Sequence, residues 1–124
     1  MERLKTALEN YHVDIIAHPT GRLIGRREGY DVDVEMLIQL AKETNTALEL
    51  NANPNRLDLA SHYVRLAQDA GVKLVINTDA HSIDMLDHME IGVATARKGW
   101  IKKENVINTW SLEELKKYLT RHHT

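Results

Sequence analysis

Asp79 and His81 stand two residues apart in Asn77-Thr78-Asp79-Ala80-His81-Ser82, directly after an apolar run. If the pleat of that run persists, the carboxylate and the imidazole point the same way and make half of a divalent-metal site. In the competing reading Asp79 caps the following helix and His81 is a surface residue; the position at a strand end tilts toward metal. His18 opens His18-Pro19-Thr20-Gly21-Arg22 behind another apolar run. Alone it reads as a hydrogen-bonded structural histidine. On one rim with Asp79 and His81 it becomes a third ligand. Seven histidines and no cysteine leave imidazole and carboxylate as the available donors.

Arg22, Arg26 and Arg27 lie in a loop with Gly21, Gly25 and Gly29. Guanidinium forks suit phosphate oxygens, and glycines let backbone amides approach the same anion. A solvated loop with surface ion pairs explains each arginine singly, so both readings stand. Glu49 sits inside an apolar strand and shares a face with Asn51. A carboxylate there needs a partner. A structural ion pair, with Arg56 for example, is the first expectation; support of a ligand imidazole is the second. Asn51 and Asn53 are expected to shape the loop before Pro54.

These residues need elements to position them. Residues 13–17, 47–51 and 73–77 are short, nearly continuous apolar runs, the pattern of strands buried on both faces of a parallel sheet. A weaker fourth run spans 105–108. Helical patterns lie between them. Residues 33–43 align Val34, Leu37, Ile38 and Ala41, with Asp31 or Asp33 as N-cap. Residues 58–70 align Leu59, Tyr63, Leu66, Ala67 and Ala70, with Asp58 opening and Gly71 closing. Residues 83–97 carry a less clean stripe with Leu86, Met89, Ile91, Val93 and Ala94. Ser111 and Glu114 form a capping box, and residues 2–10 read as a helix end. Trp100 and Trp110 are expected to be packing anchors. Strands begin roughly 25–35 residues apart, a βαβ rhythm that predicts a parallel α/β sheet. Ligands then bind beyond the strands' C-terminal ends, where His18, Asn51 and the Asp79/His81 pair fall.

The 124 residues are one domain or part of one. Sixteen Lys+Arg against eighteen Asp+Glu give a net charge of −2, so bulk electrostatics do not point to nucleic acid. No apolar run approaches the ~20 residues of a membrane span. The start of the chain lacks a signal-peptide core, and a cytoplasmic location is the expectation.

His18-Pro19-Thr20-Gly21-Arg22, Glu49-Leu50-Asn51-Ala52-Asn53-Pro54 with Arg56-Leu57-Asp58-Leu59, and Asn77-Thr78-Asp79-Ala80-His81-Ser82 together resemble the C-terminal half of a PHP (polymerase and histidinol phosphatase) domain. The likeness is to the PHP domain of bacterial family-X DNA polymerases, the PolX type. It covers roughly residues 10–120. It implies residues 1–124 as the C-terminal part of a distorted (β/α)7 barrel with parallel strands and no second domain. It further implies a metal cluster of Mn²⁺ or Zn²⁺, with Fe²⁺ possible, and phosphoester hydrolysis as 3′–5′ exonuclease in DNA repair. His18, Asp79 and His81 match metal ligands of that family. Its His-x-His motif, a further His and its bridging Glu belong to an N-terminal half that this sequence lacks. The expected partners are DNA through the parent protein, and that missing half in cis or trans. The chain alone, half a barrel, is expected to self-associate. Two alternatives are a non-catalytic metal-binding or docking fragment, and a phosphatase acting on a small phosphomonoester such as histidinol phosphate.

Overall fold

A computed structural model describes residues 2–26 and 32–122. Arg27, Gly29, Asp31 and His123 lie outside them. The described residues form an α/β structure with three parallel strands and five α-helices. The order is α1 (Glu2–Glu9), β1 (Ile15–Ile16), α2 (Val34–Thr44), β2 (Ala47–Asn51), α3 (Ser61–Ala70), β3 (Leu74–Asn77), α4 (Met89–Lys98) and α5 (Leu112–Leu119). The strands lie side by side in chain order, β1-β2-β3. Ile15 pairs with Ala47, and Leu48 with Leu74 through Asn51 with Asn77. All three C-terminal ends therefore meet on one rim.

The period of 2 divides the sheet cleanly. Leu48, Leu50, Leu74 and Ile76 face the main core with Leu37, Ile38, Ala41, Val64 and Ala67 of the covering helices. Ala47 and Val75 face the opposite side, in a smaller cluster with Ile107 and Tyr118 against which Trp110 and Leu115 pack. Glu49, Asn51 and Asn77 share that second face, so the polar side chains leave the sheet away from the main core.

The sequence pattern holds for α2 to within a residue. Asp33 is its N-cap, its carboxylate accepting from the Met36 N–H at 3.1 Å. Asn45 closes it in the left-handed conformation. β2 has its expected bounds, and β1 and β3 are shorter than expected. Ser111 caps α5 by accepting from the Glu114 N–H.

Four expectations are corrected. The helix expected from residue 58 begins at Ser61, because the Asp58 carboxylate is taken up elsewhere. The pattern at 83–97 is a 3₁₀ segment, Ile83–His88, followed by α4. Gly92 and Ala96 are the buried residues of α4, and Leu86 is exposed. A Cβ at Gly92 would stand 2.7 Å from both Ala52 Cβ and Ile76 Cγ2, so this helix meets the sheet backbone to side chain with no room to spare. The weak fourth run is not a strand. Val106 makes a single bridge to Leu74, and the Asn108 side chain imitates a ladder partner. It accepts from the Ile76 N–H at 2.8 Å and donates to the Ile76 carbonyl at 2.7 Å. Trp100 is no packing anchor: it is 73% exposed in a left-handed backbone at the end of α4. Trp110 does pack, edge-on to Tyr118 at 5.6 Å.

Among the described residues, no helix is long and apolar enough to cross a membrane.

Candidate metal centre at the strand ends

His18 follows β1 and has φ 28°, a left-handed backbone that non-glycine residues seldom adopt. Its N–H donates to Glu49 Oε1 at 2.9 Å. The turn behind it closes through the Gly21 N–H to the His18 carbonyl at 3.0 Å, with Gly21 at φ 67° supplying the bend. His18 is thus set from both sides by backbone bonds.

Glu49 is the hub beneath the rim. It is only 8% exposed. Besides His18 it accepts from Asn77 Nδ2 at 2.9 Å and more weakly from Asn51 Nδ2 at 3.4 Å. The expected ion pair is absent among the described residues; neutral donors satisfy this carboxylate. Asn51 Nδ2 also donates to Asp79 Oδ2 at 3.3 Å. One amide therefore links two carboxylates and keeps them apart. Its Oδ1 accepts from the Asn53 N–H at 3.0 Å, which shapes the loop before Pro54 and fixes which end of the amide faces the acids.

Asp79 does not continue the pleat of β3. Its φ of 54° turns the chain, and its carboxylate turns back to Asn51. His81 folds onto the same turn, with Nδ1 2.8 Å from the Asp79 carbonyl. A carbonyl only accepts, so Nδ1 is the donor in this bond and Nε2 is the ring nitrogen left to face a cation. His81 is exposed.

The arginines divide. Arg22 Nε donates to the Arg56 carbonyl at 2.7 Å and Nη2 to the Leu57 carbonyl at 2.6 Å. Its guanidinium holds the neighbouring loop. Arg26 is exposed, and Arg27 lies outside the described residues. Two contributors escaped the sequence reading. Asn77 was given no role of its own, although its place on the Glu49 face was available from the alternation. Asp58 was read as a helix cap.

The donor types suit a divalent cation. Their arrangement does not make a site unaided: among the described residues, no group of three or more His, Cys, Asp or Glu could hold a metal ion. His18, Asp79 and His81 share a rim and a hydrogen-bond network, yet they are not gathered into one ligand set.

The chain is 62% identical over 121 residues to the DNA polymerase/3′-5′ exonuclease PolX of Bacillus subtilis (strain 168), covering 98% of this chain and 21% of that protein. It is 26% identical over 119 residues to a protein named "Probable phosphatase" from Thermoanaerobacter sp. (strain X514), and 24% identical over 116 residues to another so named from Aliivibrio fischeri (strain ATCC 700601 / ES114). Those matches cover 46% and 43% of the relatives. The chain thus spans about a fifth of the first relative and under half of the other two. No family model matches.

Proposed function

We propose that this chain is the C-terminal part of a PHP-type barrel and contributes His18, Asp79 and His81 to a metal-dependent phosphoesterase centre completed by residues outside it. The observation that carries this is the shared rim. Parallel β1, β2 and β3 deliver His18, Asn51 and Asp79/His81 to one end of the sheet, above a carboxylate-amide network. The 62% identity to PolX supports a nucleic-acid 3′ end as substrate. A bound Mn²⁺, Zn²⁺ or Fe²⁺ would supply Lewis acidity and an activated water. The chain's own part is positional. The Glu49 carboxylate orients the His18 backbone, Asn51 orients Asp79, and the Asp79 carbonyl holds His81 Nδ1. Arg26, exposed in the loop after β1, is the described guanidinium left to meet phosphate in this reading.

The relatives named as phosphatases favour a second reading, a small phosphomonoester as substrate. A chimera separates the two: this chain replaces the matching region of the Bacillus subtilis relative, with Mn²⁺, a 3′-recessed DNA duplex and p-nitrophenyl phosphate as substrates. DNA hydrolysis is expected, and Asp79→Ala or His18→Ala should lower it at least about a hundredfold, the effect of losing a few kcal/mol of transition-state stabilisation. Turnover of p-nitrophenyl phosphate alone would favour the second reading. A chimera inert toward both, or an Asp79→Ala chimera as active as its parent, would remove the assignment.

A further inference from the structure

The loops after β1 and β2 are joined by a pair of reciprocal ties outside the ligand network. Asp58 is wholly buried, at 0% exposure. The Thr20 N–H donates to both of its carboxylate oxygens at 3.1 Å and the Gly21 N–H to Oδ2 at 2.7 Å. Among the described residues no cation pairs with it. Running the other way, Arg22 of the first loop donates to the Arg56 and Leu57 carbonyls of the second. Asp58 also makes an antiparallel bridge to Asn51, the residue that holds Asp79.

A carboxylate removed from water without a counter-charge is costly, and amide donors recover only part of that cost. A turn needing closure alone would be served by a neutral side chain. Two non-glycine residues in these loops, His18 and Leu57, hold left-handed backbones at φ 28° and 41°. Such conformations persist only where surrounding contacts over-determine them. The Asp58 and Arg22 ties contribute that determination: they fall on Leu57 and both its neighbours, and on Thr20 and Gly21, two and three residues past His18.

We propose that Asp58 and Arg22 are positioning residues: their crossed ties set the His18 imidazole on the rim and, through Asn51, steady Asp79. This deepens the phosphoesterase reading and rests on it for the task His18 performs. It also assigns Arg22 to architecture rather than to phosphate.

The test is heteronuclear NMR on the ¹⁵N-labelled full chain, following the Thr20 and Gly21 amides and the ring nitrogens of His18 and His81, with Mn²⁺ alone as the probe. In Asp58→Asn the two amide protons should move upfield as the carboxylate is lost, and the His18 ring signals should shift while those of His12, stacked on Tyr11 ahead of β1, stay. Arg22→Lys, which leaves the buried acid satisfied, should shift the His18 ring in the same sense and keeps the test open if Asp58→Asn does not fold. Mn²⁺ broadening at His18 should need about tenfold more metal in either variant, the scale for loss of an orienting contact. A His18 ring unmoved in a folded Asp58→Asn, or in Arg22→Lys if the first does not fold, would overturn the proposal. If the His18 ring shifts in the variants but shows no Mn²⁺ broadening in the unmutated chain, the positioning stands and the metal reading falls.

Discussion

Glu49→Ala removes the acceptor at the centre of the rim. Two good bonds end on that carboxylate, from the His18 N–H and Asn77 Nδ2, both at 2.9 Å, and a weak third comes from Asn51 at 3.4 Å. Hydrogen bonds to a charged group contribute about 1.5–3 kcal/mol each, and a buried donor left unmatched keeps its desolvation cost. Two such bonds put the loss at about 3 kcal/mol, with roughly 6 kcal/mol as a ceiling if no water enters. Against a domain stability of about 5–15 kcal/mol, that is a large fraction. Glu49→Gln retains one acceptor but turns an NH₂ toward a donor, so it should fall between wild type and alanine. Urea unfolding followed by far-UV circular dichroism measures all three. Adding Asn77→Ala completes a double-mutant cycle, in which a coupling near 1 kcal/mol or more is expected for directly bonded side chains. A Glu49→Ala midpoint within about 0.5 kcal/mol of wild type, the range of an ordinary surface change, would refute the view that this carboxylate organises the strand ends.

Two other outcomes follow from packing and burial. Gly92→Ala should destabilise by about 1–3 kcal/mol in the same urea assay, because the added methyl meets Ala52 and Ile76 at 2.7 Å and overpacking exceeds the helix-propensity gain; a stabilised variant would show that α4 can lift freely. Burial pushes the Tyr118 phenol up to about 12, although the Arg121 guanidinium pulls the other way. The unfolded phenol ionises near its ordinary 10 while the folded one keeps its proton, so this group's contribution to stability is intact below pH 10 and declines from there toward 12. Tyr118→Phe should flatten that part of the decline; an identical alkaline profile in both proteins would contradict it.

Much of this arrangement could be read from residue order. The apolar runs at 47–51 and 73–77 were legible because strands buried on both faces leave little ambiguity, and their ends placed His18, Asn51 and Asp79/His81 on one rim. Ser111, and Asp33 as one of two candidates beside Asp31, were legible as caps because an N-cap bond is local. Asp58 was not: a local rule assigned it to the nearest helix, whereas its bonds reach 37 and 38 residues back to Gly21 and Thr20. The turn at Asp79 was also hidden, since nothing in Asn77-Thr78-Asp79-Ala80-His81 announces a left-handed aspartate. Trp100 was misread through its composition: a large aromatic ring is usually buried, and only the path of the chain past Gly99 shows it turned outward. Glu49 was placed on the correct face, but its partners are amides from adjacent strands, which periodicity cannot identify.

The small cluster around Tyr118 has a bearing on how this chain is made. The Tyr118 hydroxyl donates to the Asn45 carbonyl at 2.8 Å and the Asp14 carbonyl at 3.2 Å, and Arg121 pairs with the Asp14 carboxylate. Asp14 thus waits for a partner 107 residues downstream. At ribosomal rates of about 5–20 residues per second, that delay is roughly 5–20 s. Throughout it the nascent segment leading into His18 stays unlatched, and it is fixed only once α5 and Arg121 behind it have been made.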